Sequence, residues 1–192
     1  MYMNKPTNPN PCDQYLSDKD FLLHMIPHHQ VAVDISLEMQ KKSKNPVMQD
    51  ILRELIWTQN REIMMMKDIL TNLPDNISSE KLEMNKKYRT TILDFTKSAS
   101  DPTAECNSEF FDPDLHKKHM SHMKLDEKMY LTHMIPHHQV AVDMSKTLLK
   151  HTNNDFMIYF AYRIIRSQQD EINYMNQLLQ NLQGWSWKSP LI

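Results

Sequence analysis

Glycine is almost absent from this chain, since Gly184 is the only one among 192 residues. Loops that cradle phosphate groups need several glycines, because only glycine lets the backbone approach such a ligand closely. The shortage therefore excludes P-loop nucleotide sites and dinucleotide-binding folds of the Rossmann type.

An excess of positive charge is also lacking. The formal net charge is -2 at pH 7, and the basic residues are scattered among acidic ones, so nothing indicates a nucleic-acid partner. No run of about 18 apolar residues is present that would predict membrane insertion. The opening MYMNKPTNPNPCDQ lacks the apolar core of a signal peptide. We expect a soluble chain whose compartment stays unknown.

Only two cysteines occur, Cys12 and Cys106, and they form no CxxC motif that would predict a zinc knuckle. They can pair in an oxidising compartment or remain free thiols, and the sequence leaves both alternatives open. The HExxH motif of zinc peptidases and the Glu-x-x-His pairs of di-iron bundles are missing as well. These absences weaken the catalytic interpretations.

The chain does contain an internal duplication. The eleven residues HMIPHHQVAVD occupy His24–Asp34 and recur without change at His133–Asp143. The same offset of 109 residues extends over roughly 20–73 and 129–182. Hydrophobic positions drift between the copies, as interchangeable core residues do. The polar motif residues are identical, which indicates chemistry rather than packing alone.

The first repeat is typical of a helical hairpin. Ser17 and Asp20 resemble a capping box, and the helix they begin should end near Lys42. The dipeptide Asn45-Pro46 supplies an N-cap and a first-turn proline for a second helix that reaches about Leu73.

In the second repeat, Asp112-Pro113 predicts one long helix to about Lys150, and Asn153 or Asn154 should cap a helix that ends near Gly184. Two hairpins that share a core predict an all-α four-helix bundle with a long crossover. The expected organisation is a disordered or extended segment 1–16, repeat 1 at 17–74, a linker at 75–111 with a helix from 78 or 79 to 98, repeat 2 at 112–184, and a tail at 185–192.

The second helix of each hairpin carries a stripe of residues spaced three or four apart. The stripes are Val47, Ile51, Leu55, Gln59, Glu62, Met66, Ile69 and Leu73, then Phe156, Phe160, Ile164, Gln168, Glu171, Met175, Leu178 and Leu182. Each stripe contains a glutamate. A buried carboxylate must be paired, hydrogen-bonded or bound to a metal. The alternative to a metal is a hydrogen bond to a nearby His or Arg.

The first helix supplies histidines for the same interior. His24 and His28 are four residues apart and point the same way, as do Met25 and His29 on a neighbouring face. Imidazoles one turn apart can bind one ion. A proline inside each motif, Pro27 in the first copy, should kink or locally unwind the helix and so aim these histidines inward.

The candidate metal ligands are His24, Met25, His28, His29, Glu62 and Met66, with His133, Met134, His137, His138, Glu171 and Met175 in the second copy. A mixture of histidine and methionine favours copper, because thioether suits Cu(I) while imidazole and carboxylate can hold Cu(II). Zinc ranks second and iron third. Most of the sixteen methionines are expected to be adaptable core filler.

A further cluster precedes the second motif, in the segment HKKHMSHM. Its candidate accessory ligands are His116, His119, Met120, His122 and Met123. On one side of a helix they would form a low-affinity patch for metal capture. The alternative is a solvated helix face that happens to contain histidines.

The motif as a whole resembles the domain of unknown function 305 family. The resemblance is carried by Asp20–Gln30 with Gln59–Met64, and by the second copy with Gln168–Ile172 and Met175. It implies a ferritin-like four-helix bundle, Met/His-rich copper binding and resistance, and usually a periplasmic or secreted location. The motif positions implied as functional are His24, Met25, His28, His29 and Glu62, then His133, Met134, His137, His138 and Glu171.

The function we expect is binding of a transition metal, most favourably copper, for sequestration, storage or handover without turnover. One alternative is a ferritin-like metalloenzyme of the oxidase type. Another is a structural or interaction protein in which the histidines satisfy buried carboxylates. Metal ions are the expected partners, and the sequence leaves open whether copies of the chain associate into a homo-oligomer.

Overall fold

The computed structural model describes residues 5–13, 15–72, 106–121 and 124–184. Within these ranges all regular structure is helical, which confirms the all-α prediction. The elements are α1 (Asp18–Lys42), α2 (Pro46–Asn72), a 3-10 helix (Ser108–Phe111), α3 (Pro113–Met120), α4 (Glu127–Leu148) and α5 (Asp155–Gly184). The predicted linker helix, the tail at 185–192, and His122 and Met123 lie outside the described residues.

Most helix starts are determined by the capping residues that the sequence indicates. The Ser17 hydroxyl accepts a hydrogen bond from the Asp20 amide at 3.1 Å, and Asn45 Oδ1 accepts one from the Val47 amide at 3.0 Å. Asn154 performs the same role at the start of α5. Such side chains satisfy amides that have no partner within the helix.

The prediction of one long helix from Asp112 to Lys150 is wrong. Asp112 does cap a helix, but α3 ends at Met120. Asp126 then begins α4, since its side chain accepts a hydrogen bond from the Met129 amide at 2.9 Å. An aspartate that bonds a nearby amide in this way competes with helix continuation and favours a new N-cap. The second hairpin is therefore α4 and α5, with α3 as a separate preceding element.

The four long helices form a bundle. Helix α1 packs against α2 and α4 against α5 within each hairpin, and α1 contacts α4 between the hairpins. Helices α1 and α4 stay helical through Pro27 and Pro136, so the expected local unwinding does not occur. None of the helices in the described ranges is both long and apolar enough to cross a membrane.

The predicted apolar stripes are buried in their middle and exposed at their ends. Leu55 and Ile164 are fully buried, whereas Val47, Phe156 and Leu182 are 39%, 62% and 42% exposed. The last three had been predicted to face the core, and that prediction is wrong. They lie in the first or last turn of their helices.

A disulfide between Cys12 and Cys106 resolves the alternative that the sequence leaves open. It joins the N-terminal segment to the segment that leads into the 3-10 helix. Thr7 strengthens the same attachment, because its amide and its hydroxyl each donate to the Asp20 carboxylate at 2.6 Å. Both segments are thereby held close to the start of α1.

We predict that replacing both cysteines, Cys12→Ser with Cys106→Ser, lowers the free energy of unfolding by about 2–4 kcal/mol. The bridge closes a separation of 94 residues, so its loss gives the unfolded chain more conformational freedom. Urea unfolding followed by circular dichroism measures the difference. Reduced wild-type protein should show the same loss, and unchanged stability in both samples would contradict the prediction.

Candidate metal centre

The two motif copies meet where α1 packs against α4. The rings of His28 and His137 stack there, with centroids 3.8 Å apart and planes 12° from parallel. His29 lies 6.1 Å from His28, and His138 lies 5.9 Å from His137. All four side chains are buried. These four residues, called the histidine row below, connect the two hairpins.

Each end of the histidine row is hydrogen-bonded to a glutamate of its own hairpin. His29 Nε2 donates to Glu62 Oε2 at 2.9 Å, and His138 Nε2 donates to Glu171 Oε2 at 2.6 Å. The structure thus realises the hydrogen-bonded alternative for both carboxylates. Burial of a carboxylate is tolerated when such a partner is present.

Two glutamines extend the same arrangement across the hairpins. Gln168 Nε2 of the second hairpin lies 3.4 Å from His29 Nε2 of the first. Gln59 Nε2 lies 3.3 Å from His138 Nε2 in the reciprocal contact. The offset of 109 residues relates these two contacts, so the centre of the bundle has an approximate twofold arrangement.

The surroundings of Glu62 break that arrangement. Ser167 donates its hydroxyl to Glu62 Oε1 at 3.1 Å, and Arg163 Nε lies 3.7 Å from the same oxygen. The repeat-related residues are Thr58 and Glu54, which do not reproduce a serine and an arginine beside Glu171. Alignment of the two repeats contains this difference as a sequence signal.

The 3-10 helix covers the histidine row. The Phe110 carbonyl accepts a hydrogen bond from His28 Nδ1 at 3.0 Å, and its ring lies 4.9 Å from that of His137. The Phe111 ring lies 4.8 Å from His28. Sequence reasoning missed this cover, because the 3-10 helix lies outside both repeats and carries no motif.

Burial keeps the central rings neutral. It is the main cause that lowers the pKa of His28 and of His137 well below the usual 6.5, and the charges of neighbouring histidines act in the same direction. A neutral imidazole has one N–H donor and one lone pair. Both rings therefore keep a lone pair at neutral pH.

The hydrogen bonds determine which nitrogen carries that lone pair. His28 donates through Nδ1, so its lone pair is on Nε2. His29 and His138 donate through Nε2, so Nδ1 is the nitrogen that each ring leaves for a further contact. These three atoms are buried and lack a hydrogen-bond partner among the described residues, as do both ring nitrogens of His137. Metal-binding histidines commonly donate their other N–H to a carboxylate or carbonyl. The donor set therefore fits a metal ion.

The first histidine of each motif has a different environment in each repeat. His24 Nε2 donates to the Asn8 carbonyl at 2.8 Å. The matching atom of His133 is buried without a hydrogen-bond partner in the described part of the chain, and the His133 ring lies 5.0 Å from that of His116. The repeat predicts equal roles for His24 and His133, whereas the structure gives them unequal ones.

The four candidate methionines are all fully buried. Met25 and Met66 belong to one apolar cluster, and Met134 and Met175 belong to another, which is the environment expected of core filler. Across 5–13, 15–72, 106–121 and 124–184, no three His, Cys, Asp or Glu side chains converge on a point where they could hold one ion. The predicted ligands therefore approach one another without forming a closed cage.

The accessory cluster is divided between two environments. His116 is only 1% exposed and lines a surface pocket of about 490 Å³ together with Met120. His119 lies outside that pocket, with Nδ1 3.6 Å from Glu109 Oε1. The predicted single patch is therefore reduced to His116 and Met120 within the described residues.

Comparison with known proteins places these features in a wider group. The fold resembles CopM in the Ag-bound form (27% identity, TM-score 0.63, 90% of this chain and 100% of that chain). It also resembles CopM in the Cu(II)-bound form (27% identity, TM-score 0.62, 86% and 97%). A DUF305 fragment from Deinococcus radiodurans shares the fold at 21% identity (TM-score 0.58, 92% and 99%).

A sequence relative is uncharacterized protein L153 of Acanthamoeba polyphaga mimivirus, 47% identical over 55 residues. That match covers 29% of this chain and 36% of the viral protein. The family described as Domain of unknown function (DUF305) matches residues 18–179. Because that match includes both histidine motifs and their glutamates, the chain belongs to the DUF305 family.

Proposed function

We propose that this protein binds copper, mainly as Cu(I), for sequestration, storage or handover and without catalytic turnover. The observation that carries the proposal is the set of buried lone pairs in the histidine row that have no partner among the described residues. Related proteins support it, since CopM structures include Cu(I)-bound, Cu(II)-bound and Ag-bound forms.

A soft monovalent ion is favoured over the alternatives. Structural zinc sites usually have four protein ligands in a tetrahedral arrangement, and catalytic zinc sites usually have three. No group of three His, Cys, Asp or Glu ligands exists in the part of the chain that the structure describes. Imidazole suits copper, zinc and iron, and the Cu(I)-bound and Ag-bound forms of the related CopM support a soft monovalent ion among them. Zinc and iron therefore rank below copper.

The ligands we assign are His28, His29, His137 and His138, and the two glutamates act by orienting rings. A metal ion lies in the plane of the imidazole that binds it. Parallel rings stacked at 3.8 Å cannot share one ion, so His28 and His137 would bind separate ions unless one ring changed its orientation.

The disulfide is consistent with the location that the family resemblance implies. Disulfides persist mainly in oxidising compartments such as the periplasm or the extracellular space. Copper handling in such a compartment would use the chain with Cys12 and Cys106 bonded, as the structure has them.

A second candidate function is structural. The His29–Glu62 and His138–Glu171 hydrogen bonds satisfy buried carboxylates without any ion. In this case the histidine row serves to align the hairpins, and no metal binds. Thermal unfolding with and without Ag(I) separates the two candidates, because a ligand that binds only the folded state raises its stability.

We predict that His28→Asn combined with His137→Asn lowers Cu(I) affinity by at least about tenfold, since even residues that only orient ligands contribute about 10–100-fold. Competition with a coloured Cu(I) chelator under anaerobic conditions measures the affinity. Circular dichroism should show retained helix content. His151→Asn is the control, because His151 lies outside the histidine row against Tyr15. Full copper loading of the double variant would contradict the ligand assignment.

A separate prediction concerns Glu62→Gln and Glu171→Gln. Because these carboxylates bond to rings, their replacement should weaken Cu(I) and Cu(II) binding by similar factors, about 10–100-fold. Parallel titrations with the two oxidation states give the ratio. A much larger loss for Cu(II) would show that the carboxylates are themselves ligands, since a hard oxygen matters more to the oxidised ion.

A further inference from the structure

We infer that the protein has a second metal site, outside the histidine row, in which His116, His133 and Met120 bind a soft monovalent cation such as Cu(I) or Ag(I). The inference rests on the proposed function and extends it to a separate site. Helix α3 contributes His116 and Met120, and α4 contributes His133.

Unsatisfied nitrogens identify the site. Both ring nitrogens of His116 and the Nε2 atom of His133 are buried and have no hydrogen-bond partner within the described ranges. Burial of a polar atom without a partner is unfavourable. An ion that takes one nitrogen from each ring would satisfy two of these three atoms. Burial also lowers the pKa of both histidines to about 4, which keeps their lone pairs free of protons at neutral pH.

The distance between the rings suits a shared ion. A metal–imidazole bond of about 2.0 Å places the centroids of two rings on one ion at most about 6 Å apart. The centroids of His116 and His133 are 5.0 Å apart, and the ring planes are tilted by 44°. Unlike the stacked rings of the histidine row, this pair can approach one ion from two directions.

The side chains that line the adjoining pocket indicate which class of ion would bind. It is lined by His116, Met120 and Asp34, among others, and it opens a route from solvent to the buried ring. His116 and Met120 are four residues apart and therefore lie on one face of α3. Lys117 Nζ lies 3.1 Å from Asp34 Oδ2 and compensates its charge. Glu38, the other lining carboxylate, is paired with Lys41 at 2.8 Å. Imidazole and thioether beside carboxylates that are already paired favour Cu(I) or Ag(I) over divalent ions.

The site belongs to the second repeat only. In the first repeat, the Asn8 carbonyl accepts the hydrogen bond of His24 Nε2, so the atom that corresponds to the free His133 nitrogen is occupied. The N-terminal segment therefore contacts the first histidine of the first motif, as α3 contacts the first histidine of the second motif. The repeat alone would predict two additional ions per chain, whereas this difference between its copies predicts one.

The test is titration of the full chain with Ag(I), followed by equilibrium dialysis and elemental analysis. We expect His116→Asn to remove about one Ag(I) per chain relative to wild type. His119→Asn is the matched control on the same helix and should bind the wild-type amount. The variant with His28→Asn and His137→Asn should retain the outer ion while losing binding at the histidine row.

Met120→Leu preserves side-chain volume and fold, so it tests the site even if His116→Asn fails to fold. It should weaken the outer Ag(I) by roughly tenfold or more through loss of the thioether, whereas Met129→Leu should have no effect. Wild-type stoichiometry and affinity in both His116→Asn and Met120→Leu would overturn this inference and leave the proposed function intact. If the wild-type chain binds no Ag(I) or Cu(I), both are overturned.

Discussion

The contact between His28 and His137 is the interaction on which the rest of the centre depends. The rings stack at 3.8 Å where α1 meets α4, so the two identical motifs face each other rather than solvent. Each neighbouring histidine then turns toward the glutamate of its own hairpin. The 3-10 helix closes the remaining side through the Phe110 carbonyl and ring. One contact between hairpins thereby orders the whole row.

Burial of the histidine row leaves several ring nitrogens without a hydrogen-bond partner among the described residues. Buried polar atoms are normally hydrogen-bonded, and exceptions call for a physical explanation. Here the exceptions are concentrated on histidines, including His28 Nε2 and His29 Nδ1, and they have no partner in the described part of the molecule. Their other nitrogens are held by a carbonyl or a carboxylate. A ring whose other nitrogen is held by a carbonyl or a carboxylate is oriented as metal-binding histidines commonly are.

Sequence reasoning was most successful where structure is local. The capping residues Ser17, Asn45 and Asn154 determine helix starts. The repeat and its spacing predicted the hairpins and the burial of Glu62, whereas its counterpart Glu171 is 13% exposed. The predicted long helix was wrong at Asp126, because the side chain there accepts a backbone amide hydrogen bond and begins a new helix. The predicted burial was wrong at Phe156, because periodicity indicates the face of a helix but not how much of that face is covered. The His28–His137 stack and the Phe110 cover depend on packing between distant segments, and no local pattern encodes such packing.

The central claim is that particular imidazole nitrogens are reserved for a metal ion. Long-range proton–nitrogen NMR of the histidine side chains tests it most directly, because it distinguishes Nδ1 from Nε2 in each ring before and after Ag(I) is added. The account predicts N–H on His28 Nδ1 and His29 Nε2 in the metal-free chain, and an Ag(I)-induced shift at His28 Nε2 and His29 Nδ1. Saturating Ag(I) that leaves those two nitrogens unchanged would contradict it.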